Sequence, residues 1–132
     1  MTNKDFIEET QRFFEECLDV MNTKGQEYAG SEDKFANFKR LANKYNVPTE
    51  EICGIYMTKH LDSIDSFIRE RRAGKSVMEI EAGLSEPISG RIMDAVNYLF
   101  ILKGIVDEER TKMKGGFIGI LKESLRVREE KW

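Results

Sequence analysis

Between Ile92 and Val106 the chain leaves almost no side of a helix polar. Projected at about 100° per residue, Ile92, Met93, Ala95, Val96, Tyr98, Leu99, Phe100, Ile101, Leu102, Ile105 and Val106 cover most of the circumference. A helix apolar nearly all round is normally buried, so other helices must surround it. One arc breaks the pattern. Glu86, Gly90, Asp94 and Asn97 fall together within roughly 80° by the same arithmetic, each one turn from the next. A buried carboxylate without a partner is costly, or it shifts its pKa and neutralises. Asp94 therefore needs a cation, a metal, a helix N-terminus or a ligand beside it. Gly90, with no side chain, lets a group approach the backbone closely. The alternative is that Asp94 and Asn97 hydrogen-bond only within the bundle, and that Glu86 is only a first-turn acid suited to the helix dipole.

The rest of the chain supplies the surrounding helices. No strand-like alternation persists beyond a few residues. The two prolines, Pro48 and Pro87, both sit where helices start. An all-α fold follows, expected as an antiparallel bundle of four to five helices. A first helix spans about Asp5 to Thr23, with Phe6, Phe13, Phe14, Cys17, Leu18 and Met21 at spacings of three and four. Gly25 ends it, and residues 26–33 read as a loop. A short helix near Lys34 to Tyr45 places Phe35, Phe38, Leu41 and Ala42 on one side. The third helix starts after Pro48, with Thr49 as cap and Glu50 and Glu51 at the positive end of the dipole, and runs to about Arg72.

Gly74 opens a connection through Gly83, with one helical turn at Val77 to Ile80. The fourth helix begins at Ser85-Glu86-Pro87 and continues to about Glu109. Gly115 and Gly116 then break the chain. A last helix, Phe117 to about Glu129, carries Phe117, Ile120, Leu121 and Leu125 on one side. The glycine pair suits a hinge that swaps this helix onto a neighbouring subunit. Residues 1–112 are thus expected to form the core, and 113–132 a C-terminal helix for oligomerisation.

Composition bounds the function. A chain of 132 residues is one domain, long enough to bury a core. With 40% hydrophobic and 34% charged residues it is neither disordered nor membrane-spanning by composition. No apolar run approaches the roughly 20 residues a bilayer span needs. The opening MTNKDFIEETQ has no apolar stretch of the secretory kind, so a cytoplasmic location is expected. Cys17 and Cys53 fall among apolar residues and read as reduced core residues. With no CxxC and only one histidine, His60, a zinc site is not expected. The net charge of −3 comes from interleaved acids and bases, which disfavours binding to duplex nucleic acid. The run Arg69, Arg71, Arg72 and Lys75, broken by Glu70, is either a solvated helix end or a phosphate contact.

The third helix offers a strip to match the fourth. Ile52, Ile55, Lys59, Asp62, Ser63 and Ser66 lie on one side, and Tyr56, Met57, His60, Leu61, Ile64, Phe67 and Ile68 on the adjacent, apolar side. Lys59 and Asp62 either pair on the surface or face Glu86 and Asp94 across a cleft. His60 is either a satisfied core residue or a ligand group. Lys24-Gly25-Gln26-Glu27-Tyr28 and Asn37-Phe38 add polar and aromatic groups. Tyr28 either stacks on a nucleobase or joins Phe38 in the core.

In order along the chain stand Lys24, Glu27 and Tyr28; Asn37-Phe38; Lys59-His60 with Ser63-Ile64; Ser85-Glu86-Pro87-Ile88; Gly90-Arg91-Ile92; and Asp94 with Asn97-Tyr98. This series, over about residues 5–110, resembles the phage-encoded branch of the nucleotide modification associated domain proteins. That branch is similar to the MazG-like all-α nucleoside triphosphate pyrophosphohydrolases. The resemblance implies a MazG-like bundle, a homo-oligomer, with a nucleotide held in a cleft of the 1–112 core. Lys59, His60 and Arg91 would take phosphate. Glu86, Asp94 and Asn97 would take base, ribose or a metal. Tyr28 would stack, and Lys24 and Asn37 would line the same cleft.

Catalytic members of the resembled group hold Mg²⁺ through ExxE and ExxD carboxylates, which suit that hard cation. Here Asp94 matches the aspartate of the second motif, but Arg91 stands where its glutamate would be, and Gly90 where many related domains have an aspartate. The first motif is at best a DxxD, Asp62 and Asp65. Arg91 in that place swaps a magnesium ligand for a direct phosphate fork. The expected function is a nucleotide-binding protein with no cofactor, acting in a host-cell cytoplasm. It would sequester a nucleotide or a nucleotide-derived signal such as a cyclic nucleotide, as an anti-defence sponge. One alternative is a Mg²⁺-dependent pyrophosphohydrolase, with Asp62, Asp65, Glu86 and Asp94 gathering the metal. Another is a helical adaptor with no small-molecule ligand. No membrane partner is expected in any of these.

Overall fold

The computed structural model describes residues 1–28 and 33–116, with backbone alone for 25–28 and 114–116. Five helices fill it: α1 (Asn3–Tyr28), α2 (Ala36–Tyr45), α3 (Thr49–Arg72), α4 (Val77–Ala82) and α5 (Ile88–Gly116). Among the described residues there is no strand, and the protein is an all-α helical bundle. No helix among them is long and apolar enough to cross a membrane.

Several boundaries differ from the expectation for local reasons. Gly25 does not stop α1, which runs on to Tyr28. A glycine inside a helix costs only about 1 kcal/mol relative to alanine. It ends a helix mainly where the backbone must turn left-handed. That role falls to Asn46 after α2, at φ 53°. Asn46 N–H reaches Asn43 O, and Val47 N–H reaches Ala42 O at 3.0 Å, closing the helix end in the Schellman pattern.

Thr49 is the first residue of α3 rather than its cap, and Pro48 before it is extended and offers no side-chain hydrogen bond. Glu50 and Glu51 occupy the first turn as expected. The basic run closes the helix at its negative end. Arg71 donates to Lys75 O at 2.9 Å and Lys75 pairs with Glu70 at 3.0 Å, so this run is a solvated helix end. The single turn expected at Val77 is the short helix α4. Ser76 Oγ caps it, accepting from Glu79 N–H and donating to Glu79 Oε1, both at 3.1 Å. Glu81 of α4 then accepts from Ile88 N–H at 2.9 Å, which fixes where α5 begins.

α5 starts at Ile88, just past Ser85-Glu86-Pro87, and runs unbroken to Gly116. The helix expected from Phe117, with its hinge, lies outside the described residues. α3 and α5 form the central antiparallel pair. Cys53 Sγ donates to Tyr98 O at 3.4 Å, and seven residues on His60 meets Asp94. Ile52, Cys53 and Met57 of α3 are buried with Ala95 and Ile105 of α5. α1 meets α5 through an edge-on contact of Phe14 with Phe100, ring centres 5.6 Å apart. Phe35, just before α2, sits so close to Gly104 that a Cβ there would stand 2.7 Å from its ring. Cys17 and Cys53 are both free thiols and fully buried, as expected.

One expectation fails in part. α5 is not covered all round, since Leu99 is 52% exposed and Ile92 and Val106 more than a third. Its apolar circumference exceeds what the rest of the described chain can shield.

Candidate functional site

Asp94 is where three helices meet. Its side chain is 22% exposed, with Lys24 Nζ of α1 3.6 Å from Oδ1 and His60 Nδ1 of α3 3.5 Å from Oδ2. The local sequence explains the convergence. Lys24 lies two turns beyond buried Cys17 and so shares its inward face. It reaches the site because α1 continues past Thr23. His60 follows buried Met57 by three residues, on the face of α3 that packs against α5. Asn97 is one turn from Asp94 and 8% exposed.

Around this centre the polar atoms are incompletely matched. His60 Nδ1 lies within ion-pair distance of Asp94 but is not aligned to hydrogen-bond with it. Arg91 Nε stands 3.3 Å from Glu86 Oε1, also without hydrogen-bond alignment. Asn97 Oδ1 has no hydrogen-bond partner. Buried polar atoms are nearly always satisfied, and leaving one unmade costs about 1–3 kcal/mol. Three such atoms on or beside one helical stripe mark the place as unusual.

An aromatic row adjoins the stripe. His60 and Tyr98 are stacked at 5.4 Å, Tyr98 and Tyr56 at 6.3 Å and nearly parallel, and Phe38 meets Tyr56 edge-on at 5.8 Å. Burial pushes the Tyr98 phenol above its ordinary pKa, and the Asp94 charge adds to this. Burial also holds His60 below its ordinary value of 6.5. Asp94 pulls the other way and is outweighed, while Lys59, Arg91 and Lys24 each add to the lowering. His60 is thus a mainly neutral imidazole at pH 7. The cluster offers cations at Lys24 and Arg91 and acceptors at Asp94 and Asn97.

Lys24, His60, Asp94 and Asn97 come together, and Arg91 and Glu86 stand one turn along. Glu86 itself fills the space over Gly90, where a Cβ would lie 2.6 Å from Oε2, so the gap expected there is closed by the chain's own carboxylate. Arg91 also donates to Ser85 Oγ at 3.3 Å. Lys59 is exposed and bears on His60 only through its charge; the cation beside Asp94 is Lys24. Asn37 is exposed on α2. The side chain of Tyr28 lies outside the described residues. Tyr56 and Tyr98 were not among the expected site residues, although Tyr98 lies one turn from Asp94 and that spacing is readable in the sequence.

The four carboxylates expected to share a magnesium ion do not gather. Asp62 is exposed, Asp65 pairs with Arg69 at 3.3 Å, Glu86 faces Arg91, and Asp94 faces Lys24 and His60. Among the described residues no three His, Cys, Asp or Glu side chains are grouped to hold a metal ion. The residues present do not fit that cation. No protein-family model, curated protein or solved structure matches this chain.

A second polar cluster lies farther along α5, in a pocket bordered by Phe35, Lys39, Thr49 and Glu50. Lys39 bridges Asp33, at 2.7 Å, and Glu108, and Lys112 stands 3.7 Å from Glu108. Hydrogen bonds to these two carboxylates raise the Lys39 pKa, and Lys39 lowers that of Asp33.

Proposed function

We propose that the chain binds a nucleotide or a nucleotide-derived signal where α1, α3 and α5 meet. The observation that carries this reading is the set of buried atoms without a hydrogen bond: His60 Nδ1, Arg91 Nε and Asn97 Oδ1. A ligand with both hydroxyl or amino donors and phosphate oxygens would complete them. Arg91 and Lys24 suit phosphate, the first as a fork and the second as a point charge. Asp94 and Asn97 suit the donors of a ribose or base. The Tyr98–Tyr56 row supplies aromatic faces, on which any base stacks.

The resemblance to the phage-encoded nucleotide modification associated domain proteins supplies nucleotide as the ligand class, and sequestration as the role. The purely internal network of an adaptor is less favoured, because it leaves the three atoms unmatched. Calorimetry against nucleoside mono-, di- and triphosphates and cyclic mono- and dinucleotides tests the proposal. Heat with at least one, weakened at least tenfold in Asp94→Asn and in Arg91→Ala, supports it. No heat with any of them at high protein concentration retires it.

A further inference from the structure

Glu86 lies outside α5, in the bend just before Ile88, and its side chain is 43% exposed. The first turn of the helix is closed without it. Ile88 N–H donates to Glu81 Oε2 and Gly90 N–H to Pro87 O, both at 2.9 Å. The Glu86 carboxylate instead leans back over Gly90, and its Oε1 stands 3.3 Å from Arg91 Nε. Outside the backbone of α5 itself, the three atoms nearest to a Cβ built at Gly90 all belong to that carboxyl group. Glycine thus makes the space that Glu86 fills.

The contact is loose. Arg91 Nε is buried and makes no hydrogen bond, although a guanidinium forks readily onto carboxylate or phosphate oxygens. A part-exposed pair without that alignment is weak. Arg91 also donates to Ser85 Oγ at 3.3 Å, a contact that holds the guanidinium in place when Glu86 leaves. The charges that meet here are balanced, Lys24 and Arg91 standing against Asp94 and Glu86. An arriving anion finds no surplus positive charge until Glu86 moves away.

We infer that Glu86 is a built-in competitor for the phosphate position on Arg91, and that it restricts the ligand to terminal phosphomonoesters rather than phosphodiesters. The inference rests on the reading above that a nucleotide binds at the Asp94 cluster. A tethered carboxylate competes at an effective concentration on the order of millimolar. A phosphodiester carries one negative charge, as the carboxylate does, and gains little by exchanging with it. A monoester near pH 7 carries about −1.5 to −2. It is drawn more strongly to Arg91 and Lys24, and so displaces Glu86. Glu86 raises the threshold for every anion, and the doubly charged ones cross it.

Calorimetry of the full chain tests this with the four ribonucleoside 5′-monophosphates, their 3′,5′-cyclic forms and inorganic pyrophosphate. Wild type is expected to bind at least one monophosphate at least tenfold more tightly than its cyclic form. Glu86→Gln and Glu86→Ala should each tighten both by at least tenfold, bringing the cyclic form into range; if one variant fails to fold, the other decides. In an Arg91→Ala background the gain should vanish. Affinity that is unchanged or weaker without the Glu86 carboxylate overturns the inference while leaving nucleotide binding standing. So does a gain that persists without Arg91, which is a general charge effect, or a cyclic form that binds wild type as tightly as the monophosphate. Pyrophosphate separates the two readings. If no nucleotide binds but pyrophosphate does, and more tightly in Glu86→Gln, the nucleotide reading falls and the competitor stands. If nothing binds to any of the proteins, both fall.

Discussion

The two polar clusters on α5 are built from similar residues but stand in opposite conditions. Around Glu108, Lys39 reaches two carboxylates, and Phe35 seals the adjoining gap against Gly104. Around Asp94, a more deeply buried set leaves three atoms without hydrogen bonds. In the first cluster each of the two carboxylates has a cation from the chain beside it. The second is arranged by three helices and left unfinished. An unmatched buried polar atom is costly, so it calls for a partner from outside the chain. On the reading proposed above, the Lys39 end holds the fold and the Asp94 end binds.

Substitutions at the two ends should separate along that line. The largest effect is expected at Gly104→Val. Its added atoms meet the Phe35 ring, and overpacking of this kind costs about 1–3 kcal/mol. Urea unfolding should show the loss, while nucleotide affinity in the folded fraction stays unchanged. Next come Asp94→Asn and Arg91→Ala, each expected to weaken ligand binding at least tenfold, about 1.4 kcal/mol, with little change in the urea midpoint. If either instead lowers stability by more than it lowers affinity, the two ends are not different in kind.

Lys39→Met should cost no more than about 1 kcal/mol, because its partners are part-exposed and solvent screens them. It should leave binding untouched. A smaller effect separates the ends by pH. The folded His60 binds its proton less readily than the unfolded chain does. Its contribution is therefore destabilising at acid pH and disappears as pH rises through the ordinary histidine value near 6.5. Wild type should gain stability relative to His60→Gln between about pH 5 and 7, measured by chemical unfolding at each pH. Lys39 and Asp33 shift in the stabilising directions. Their share is lost only as pH falls through the lowered Asp33 value or rises through the raised Lys39 value, so Lys39→Met should show no matching change across that window.

The smallest stability change belongs to Gly90→Ala. The new Cβ meets only the Glu86 carboxylate, on a part-exposed side chain that can swing away, and alanine favours the helix. The urea midpoint should move by no more than a few tenths of a kcal/mol either way. A large loss there would mean that the Glu86–Arg91 pair is structural after all.

How far the sequence foretold this depends on the range of each interaction. Helix content, the place of Pro48, the burial of both cysteines and the polar stripe of α5 all follow from periodicity within one segment. Asp94 stands out because a carboxylate in an apolar helix needs a partner. The identity of that partner was not readable. Lys59 and Lys24 are equally lysines in the sequence, and only the rotation of α3 and the length of α1 decide between them. Gly25 resembles a stop and so hides the length of α1, and the aromatic row is hidden because stacking joins residues on three helices. Asp62 and Asp65 share the spacing of a metal motif, but that spacing does not fix which way their face turns, and it turns outward.

The most direct test uses the fact that the chain has a single histidine. Its ring protons can be followed by NMR through a pH titration without assignment, first alone and then with saturating nucleotide. The account predicts a pKa below 6.5 in the free protein, rising when a phosphate-bearing ligand settles beside His60. A ring that titrates at its ordinary value, or whose titration no nucleotide moves, would contradict the claim that the Asp94 cluster is a binding site awaiting its ligand.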